Sequence, residues 1–123
     1  MPTVNLVEFT TSFAKAVFST LAQKESTIKK LLTGIASLRP TLSYDSTTGN
    51  PEVSIKVNGQ SEASQSLELV FQYLAQQKKH IVFAIDEFQQ IAYYPEQNVE
   101  AELRKHIQQI SNVTFIFSGS RKH

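Results

Sequence analysis

The stretch that decides the fold reads IVFAIDEFQQ and spans residues 81–90. A run of five apolar residues precedes two acidic ones, Asp86 and Glu87. An uninterrupted apolar run of this length is typical of a strand buried on both faces, as in a parallel sheet. Open α/β sheets bind ligands at the carboxyl ends of their strands. The pattern therefore predicts that both carboxylates lie at a ligand-binding edge.

A second strand is expected at residues 113–117, where the sequence reads VTFIF before Ser118, Gly119 and Ser120. Between the two runs, residues 98–110 carry apolar side chains at helical spacing and predict a helix. A strand, a helix and a second buried strand in this order are typical of a parallel crossover unit. We therefore expect two parallel neighbouring strands, each ending in polar residues.

Two helices are predicted at the start of the chain. Apolar residues at helical spacing, with a capping box formed by Asn5 and Glu8, predict a helix over residues 5–23. A second helix is expected to begin with a cap at Ser26 and to stop before the next proline. Residues 5–38 therefore form a predicted helical pair.

The apolar period then changes to two, and residues 41–58 predict a β-hairpin with one buried face. A further helix is expected to begin at Ser61 or Ser64. Residues 61–123 would then hold this helix, the two parallel strands and the helix between them. The whole chain, residues 1–123, is interpreted as a single α/β domain or part of one.

The composition excludes several classes of protein. Apolar residues make up 41% and charged residues 19%, which suits a globular core, and the formal charge of +1 gives no field that would attract nucleic acid or an anionic membrane. The absence of cysteine removes disulfide frameworks, thiolate zinc sites and cysteine nucleophiles. No apolar run approaches the roughly 20 residues of a membrane span, and no secretory signal is recognised, so we expect a cytoplasmic protein.

The neighbouring carboxylates of Asp86 and Glu87 suit phosphoryl-transfer chemistry. An acid at the end of a buried strand can hold Mg²⁺ through its water shell, and a neighbouring acid can polarise an attacking water. Asp86 would take the first role and Glu87 the second. The alternative is that the strand ends in a solvated acidic turn with no chemical role.

With these segments in place, the sequence resembles the archaeal-type ATPase family of P-loop NTPases, which is related to the AAA+ and STAND groups. The resemblance covers most of the chain and is most specific over residues 81–120, where an apolar strand with DEFQ, a helix and a second apolar strand ending in GS follow one another. An LxEF-like helix and a hairpin of the P…S.D..G.P type precede them. The matching residues are Ile81 to Gln89, Leu103, Arg104, Ile107, Gln108, Asn112, Val113 and Phe115 to Ser120 downstream, and Asn5, Leu6, Glu8, Phe9, Pro40, Ser43, Asp45, Gly49 and Pro51 upstream.

The resemblance implies a three-layer P-loop NTPase sheet, represented here by two parallel strands with flanking helices and a hairpin insertion. It implies that Asp86 is the Walker B acid associated with Mg²⁺ and that Glu87 is the catalytic glutamate. It implies that Ser118 or Ser120 is the polar residue called sensor 1. ATP and magnesium would be the cofactors of the parent protein, and neither is expected to bind tightly to this chain.

The phosphate-binding loop of that family is missing from the sequence. Its pattern GxxxxGK[ST] needs two suitably spaced glycines followed by lysine, whereas the four glycines lie at positions 34, 49, 59 and 119. The chain is therefore interpreted as a piece of a larger ATPase, because residues 118–123 look like a motif cut in mid-course, or as a degenerate domain that kept the scaffold. Little or no hydrolysis is expected from it. A non-enzymatic protein-interaction module is the alternative function.

Self-association is the partner prediction that follows from the resemblance. In the family's strand order the phosphate-loop strand pairs with the sensor 1 strand, so its absence would leave residues 113–117 with an open apolar edge. An open edge is a template for pairing with another copy of the chain. The parent would also act on a protein partner that the sequence does not name, whereas no membrane or nucleic-acid partner is indicated.

Other polar residues have simpler interpretations. His80 and His106 could join the two acids in a metal cluster, but His80 begins the strand that the acids end, roughly 20 Å away at the rise of a strand. Tyr93 and Tyr94 suit packing or a partner contact better than base stacking, because no basic groove accompanies them. A surface salt bridge is the simpler interpretation of Arg104, and a trans-acting role in an oligomer is the alternative.

Overall fold

Helices and strands follow one another along the chain in the order that the sequence predicts. The computed structural model describes residues 5–21, 25–86, 91, 93–95 and 98–118, and of residues 25–27, 86 and 118 it describes the backbone alone. No helix in this part of the chain is long and apolar enough to cross a bilayer. The elements are α1 (Leu6–Leu21), α2 (Glu25–Gly34), β1 (Thr41–Tyr44), β2 (Pro51–Ser54), α3 (Gly59–Ala75), β3 (Ile81–Asp86), α4 (Val99–Gln109) and β4 (Val113–Ser118).

The start of α1 confirms the predicted cap. The backbone N–H of Glu8 donates to Asn5 Oδ1 at 2.8 Å, which satisfies one of the amide groups that a helix leaves free at its first turn. The described helix ends at Leu21, and residues 22–24, which include the predicted end at 23, lie outside the described residues. The buried face of α1 is the apolar stripe that its spacing indicates.

The next two helices differ from their predicted bounds. Helix α2 ends at Gly34, earlier than predicted, and a short 3₁₀ turn follows at Ala36–Leu38. Helix α3 begins at Gly59, before the predicted start at Ser61 or Ser64. Its N-cap residue is Asn58, which makes no side-chain cap hydrogen bond. Glu62 Oε1 accepts hydrogen bonds from the Asn58 backbone N–H at 2.9 Å and from Arg39 at 2.8 Å. Ser61 and Ser64 are typical cap residues, which is why their positions predicted a later start.

The predicted hairpin is present, with shorter strands than expected. Its predicted buried face is limited to β2, where Val53 is buried, because all four residues of β1 are exposed. β1 and β2 are antiparallel from Thr41↔Ser54 to Tyr44↔Pro51, so the second strand ends before position 58. Asp45 holds the turn, because the Thr47 backbone N–H donates to Asp45 Oδ1 at 2.9 Å. The same hydrogen bond lowers the pKa of the Asp45 carboxyl group.

Phenylalanine side chains join the helices to the parallel strands. The ring of Phe13 in α1 lies 5.2 Å from that of Phe71 in α3 and 6.0 Å from that of Phe83 in β3. Phe71 in turn lies 5.9 Å from Phe115 in β4. α1 also packs against α3 and β2, so one apolar core is shared by the helices, the hairpin and the inner face of the β3–β4 sheet.

β3 and β4 are parallel neighbours, as predicted, but the sheet is not buried on both faces. Ile81, Phe83 and Ile85 of β3 point into the core, whereas Val82 between them is 58% exposed. Ile116 on the same outer face of β4 is 52% exposed. The prediction of a strand buried on both faces, and with it the predicted three layers, is therefore wrong for the described residues. Two layers are present because no described element covers the outer face.

Candidate functional site

The carboxyl ends of β3 and β4 bring two predicted site residues together. The register runs in parallel from Ile81↔Val113 to Asp86↔Ser118, so the last residues of the two strands are direct neighbours. A parallel sheet therefore presents an acidic and a hydroxyl residue at the same edge. The structure describes the backbone of both residues, and their predicted roles remain predictions.

The other two predicted site residues are Glu87 and Ser120. Glu87, the predicted catalytic glutamate, and Ser120, the alternative sensor residue, lie outside the described residues. Their positions along the chain place them directly after Asp86 and two residues after Ser118, respectively.

Asn112 fixes where the two strands begin. Its side-chain Nδ2 donates to the carbonyl oxygens of Leu74 and Gln77, both at 2.9 Å, and so ties the end of α3 to the start of β4. Its own carbonyl oxygen accepts the backbone N–H of Ile81 at 2.9 Å. Asn112 therefore joins α3 to the start of both strands and helps to set their register. The register determines which residues are neighbours at the carboxyl edge.

The histidines lie away from this edge. His80 precedes β3, and its Nε2 lies 2.7 Å from Thr114 Oγ1 at the opposite end of the strands from Asp86. His106 is in α4 and stacks on Phe71, with ring centroids 4.9 Å apart. Within the described part of the chain, no three His, Asp or Glu side chains come together as a possible metal site.

The remaining candidate residues have structural partners. Arg104 pairs with Glu100 one turn earlier in α4, with its Nη2 2.8 Å from Oε2, so the predicted surface salt bridge is confirmed. Tyr94 is buried in the core and Tyr93 is exposed, so the two tyrosines do not form a single stacking surface.

A groove between α3 and α4 was not found by sequence reasoning. It has a volume of about 490 Å³ and is open on one side. Each helix contributes side chains at the same helical spacing. They are Glu68, Phe71, Gln72 and Ala75 from α3, and Glu102, Lys105, His106 and Gln109 from α4, with Ile110 at the end. The spacing marks one face on each helix, but it does not indicate that the two faces meet.

The imidazole of His106 is the most perturbed group in the groove. Its ring is nearly parallel to that of Phe71, with 9° between the planes, and one face of the ring is therefore removed from water. Burial lowers the pKa of His106, the nearby carboxylates of Glu102 and Glu68 partly offset this effect, and Lys105 adds to it. The ring is therefore mainly uncharged at neutral pH.

Comparison with known proteins gives no family for the chain. No protein-family model, no curated protein and no solved structure matches it. The resemblance described above therefore depends on the residues of this sequence alone.

Proposed function

We propose that this chain is the metal-acid part of an ATP-hydrolysing P-loop ATPase, with β3 as the Walker B strand and β4 as the sensor 1 strand. The observation that supports this proposal is the parallel register that sets Asp86 beside Ser118 at the carboxyl edge. An adjacent acid and polar residue on neighbouring strands is the arrangement that the family resemblance implies. In the parent protein, ATP and Mg²⁺ would bind at this edge.

The residues at the edge suit a hydrated divalent cation better than a nucleotide. Mg²⁺ commonly keeps several waters and takes one or two carboxylates from the protein. Asp86 would be such a carboxylate, and Glu87 would polarise a water, with Ser118 or Ser120 as the polar neighbour. The triphosphate has no matching partner, because none of the four glycines belongs to a GxxxxGK[ST] loop. We therefore expect little or no hydrolysis by this chain.

Paramagnetic broadening by Mn²⁺ tests the metal part of the proposal. In amide NMR spectra of the chain, Mn²⁺ at about 1 mM should broaden the signals of residues 84–86 and 116–118 first, as befits a weak carboxylate site. The D86N variant should lose this broadening. The D45N variant is the matched control, because Asp45 is a carboxylate in the hairpin turn, outside the parallel sheet, and Asn can keep the turn hydrogen bond.

Two outcomes would contradict the proposal. Equal broadening in the D86N variant and the unchanged chain would show that Asp86 does not hold the cation. Binding of Mg·ATP to the chain with a Kd far below about 1 mM would show that the phosphates have a site that the sequence does not reveal.

A non-enzymatic interaction module is the second candidate function. It is favoured by the exposed apolar residues of the parallel sheet, since Val82, Ile116 and Phe117 are 58%, 52% and 43% exposed. In the full-length parent, the E87Q variant separates the two functions. If E87Q abolishes or traps ATP turnover, the result supports the ATPase. If the biological function of the parent is unchanged, the result supports the interaction module.

We also propose self-association through the free edge of β4. Over the described residues the parallel sheet has two strands, so β4 has one edge with no partner strand. Such an edge can accept the same strand of a second copy. Sedimentation should show a fraction of dimer that increases with protein concentration, and the I116K variant should sediment as a monomer. V82K is the control, because it places the same charge on the same face of the sheet but on β3, and it should leave the dimer intact. If the unchanged chain is a monomer at every concentration, the proposal is contradicted.

A further inference from the structure

We propose that the groove between α3 and α4 binds the guanidinium group of an arginine side chain that a polypeptide partner presents. Glu68 and Glu102 supply the carboxylates, and the outer face of the His106 ring supplies a flat surface. The groove does not overlap with the carboxyl edge of the β3–β4 sheet, so this proposal is independent of the ATPase function.

The charges of the groove favour a cation. Glu68 lines it from α3 and Glu102 from α4, and neither forms a salt bridge with a described lysine or arginine. Each accepts a long hydrogen bond from an uncharged donor, Glu68 Oε2 from Gln72 at 3.5 Å and Glu102 Oε1 from Ser64 at 3.3 Å. Both carboxylates therefore keep accepting capacity for a charged donor from two sides of the groove.

The floor of the groove distinguishes a guanidinium from an ammonium group. Phe71 is buried and contacts Phe13 and Phe115 in the core, and His106 lies flat on it. His106 lines the groove and is only partly buried, so part of the imidazole remains accessible there. A planar guanidinium can stack on such a ring while its N–H groups reach carboxylates at the side, which the compact ammonium of lysine does not do.

The shape of the groove favours a side chain over a free small molecule. Its volume of about 490 Å³ exceeds what one arginine side chain needs, and one side is open to solvent. Sites for small molecules commonly enclose most of the ligand surface. A residue presented from another polypeptide needs no such enclosure, because the partner's own surface covers the open side.

Titration with a minimal arginine probe tests the assignment. The probe is N-acetyl-arginine-N′-methylamide, added without metal or nucleotide to the full 123-residue chain. We expect saturable shifts of the ring signals of His106 and Phe71, with a Kd of order 1–10 mM for a single side chain. The citrulline analogue, which keeps the shape and lacks the charge, should produce no saturable shift. The lysine analogue should bind at least about three times more weakly.

Charge variants decide whether the carboxylates act as proposed. E68Q and E102Q should each weaken arginine binding by about three- to tenfold, since each removes one charge-assisted hydrogen bond. K105Q should strengthen it by about twofold, because it removes a like charge from the groove. E100Q is the matched control, as Glu100 lies in the same helix outside the groove and should leave the affinity unchanged.

The proposal is overturned if the citrulline analogue binds as well as arginine, if the lysine analogue binds equally well, or if E68Q and E102Q bind like the unchanged chain. Shifts confined to residues outside the groove would also overturn it. Because Asp86 and Mn²⁺ take no part in this experiment, its failure would leave the ATPase proposal standing, and the reverse also holds.

Discussion

The core around α1 and α3 and the outer face and end of the β3–β4 sheet contain similar apolar residues, but only the core is enclosed. Val70 in α3 is fully buried, whereas Val82 in β3 is 58% exposed. The rings of Phe13 and Phe71 are packed on several sides, whereas Phe117 at the end of β4 is 43% exposed. The difference indicates that the burial of apolar surface on the helical side contributes most to the folding free energy, whereas part of the sheet keeps apolar side chains accessible to water.

The largest expected effect comes from the aromatic contacts of the core. F13A removes a ring that contacts Phe9, Phe71 and Phe83, and it should lower the free energy of unfolding by about 3–5 kcal/mol. F117A makes the same substitution at the end of β4, where the ring is 43% exposed and stacks on Phe115, and it should cost less, about 1–2 kcal/mol. Urea unfolding of the two variants compares them. Equal losses would contradict the division into an enclosed core and an open sheet.

A smaller loss is expected where the two regions are joined. N112A removes both hydrogen bonds to the carboxyl-terminal turn of α3 and leaves the Leu74 and Gln77 carbonyls without this donor. The free energy of unfolding should fall by about 1–3 kcal/mol. N58A is the control, since the exposed Asn58 makes no side-chain cap hydrogen bond and its loss should cost less than about 0.5 kcal/mol. A neutral N112A would mean that the strands are positioned by packing alone.

The core also contains a defect that a substitution can repair. Thr10 is fully buried, and its Oγ1 has no hydrogen-bond partner among the described residues. T10V keeps the shape and removes the unsatisfied hydroxyl, so the free energy of unfolding should rise by about 1 kcal/mol. The neighbouring T11V should give no such gain, because the Thr11 hydroxyl donates to the Val7 carbonyl at 2.9 Å. Thermal unfolding distinguishes the two, and a stabilisation by T11V alone would contradict the assignment.

The smallest effect is expected on the outer face of the sheet. V82T introduces a hydroxyl where water already reaches and should change the free energy of unfolding by less than about 0.5 kcal/mol. V70T introduces the same group into the core and should cost about 1–3 kcal/mol. Chemical denaturation measures both. A costly V82T would show that the outer face is covered in solution.

Much of the fold can be predicted from local patterns in the sequence. Helical spacing, alternation and the cap at Asn5 predict the helices and the hairpin, because each depends on residues close together in the chain. The parallel pair is predicted from two apolar runs separated by a helix, the order typical of a crossover unit. The start of α3 was predicted too late, because the N-cap residue is Asn58, whose backbone N–H donates to the carboxylate of Glu62. The exposed outer face was missed, since a continuous apolar run does not reveal whether another layer covers the strand.

The candidate site could be predicted only in part. The sequence places Asp86 and Ser118 at the ends of two apolar runs, and the register sets them side by side. Their chemical roles, and those of Glu87 and Ser120, remain predictions. The groove could not be predicted, because Glu68 and Glu102 lie in different helices and meet only through tertiary packing.

The two sheets also differ in how far along the chain their partners lie, which bears on the order of folding. Tyr44 and Pro51 are joined by a short turn, so the hairpin can close on a timescale of about 1–10 μs. Ile81 pairs with Val113, and the whole of α4 lies between them in the chain. Closing this longer loop costs more entropy than closing the hairpin. We therefore expect the carboxyl edge that holds Asp86 to assemble late in folding. During synthesis, the first strand of the pair would emerge well before its partner and would need α1 and α3 to shield its apolar residues in the meantime.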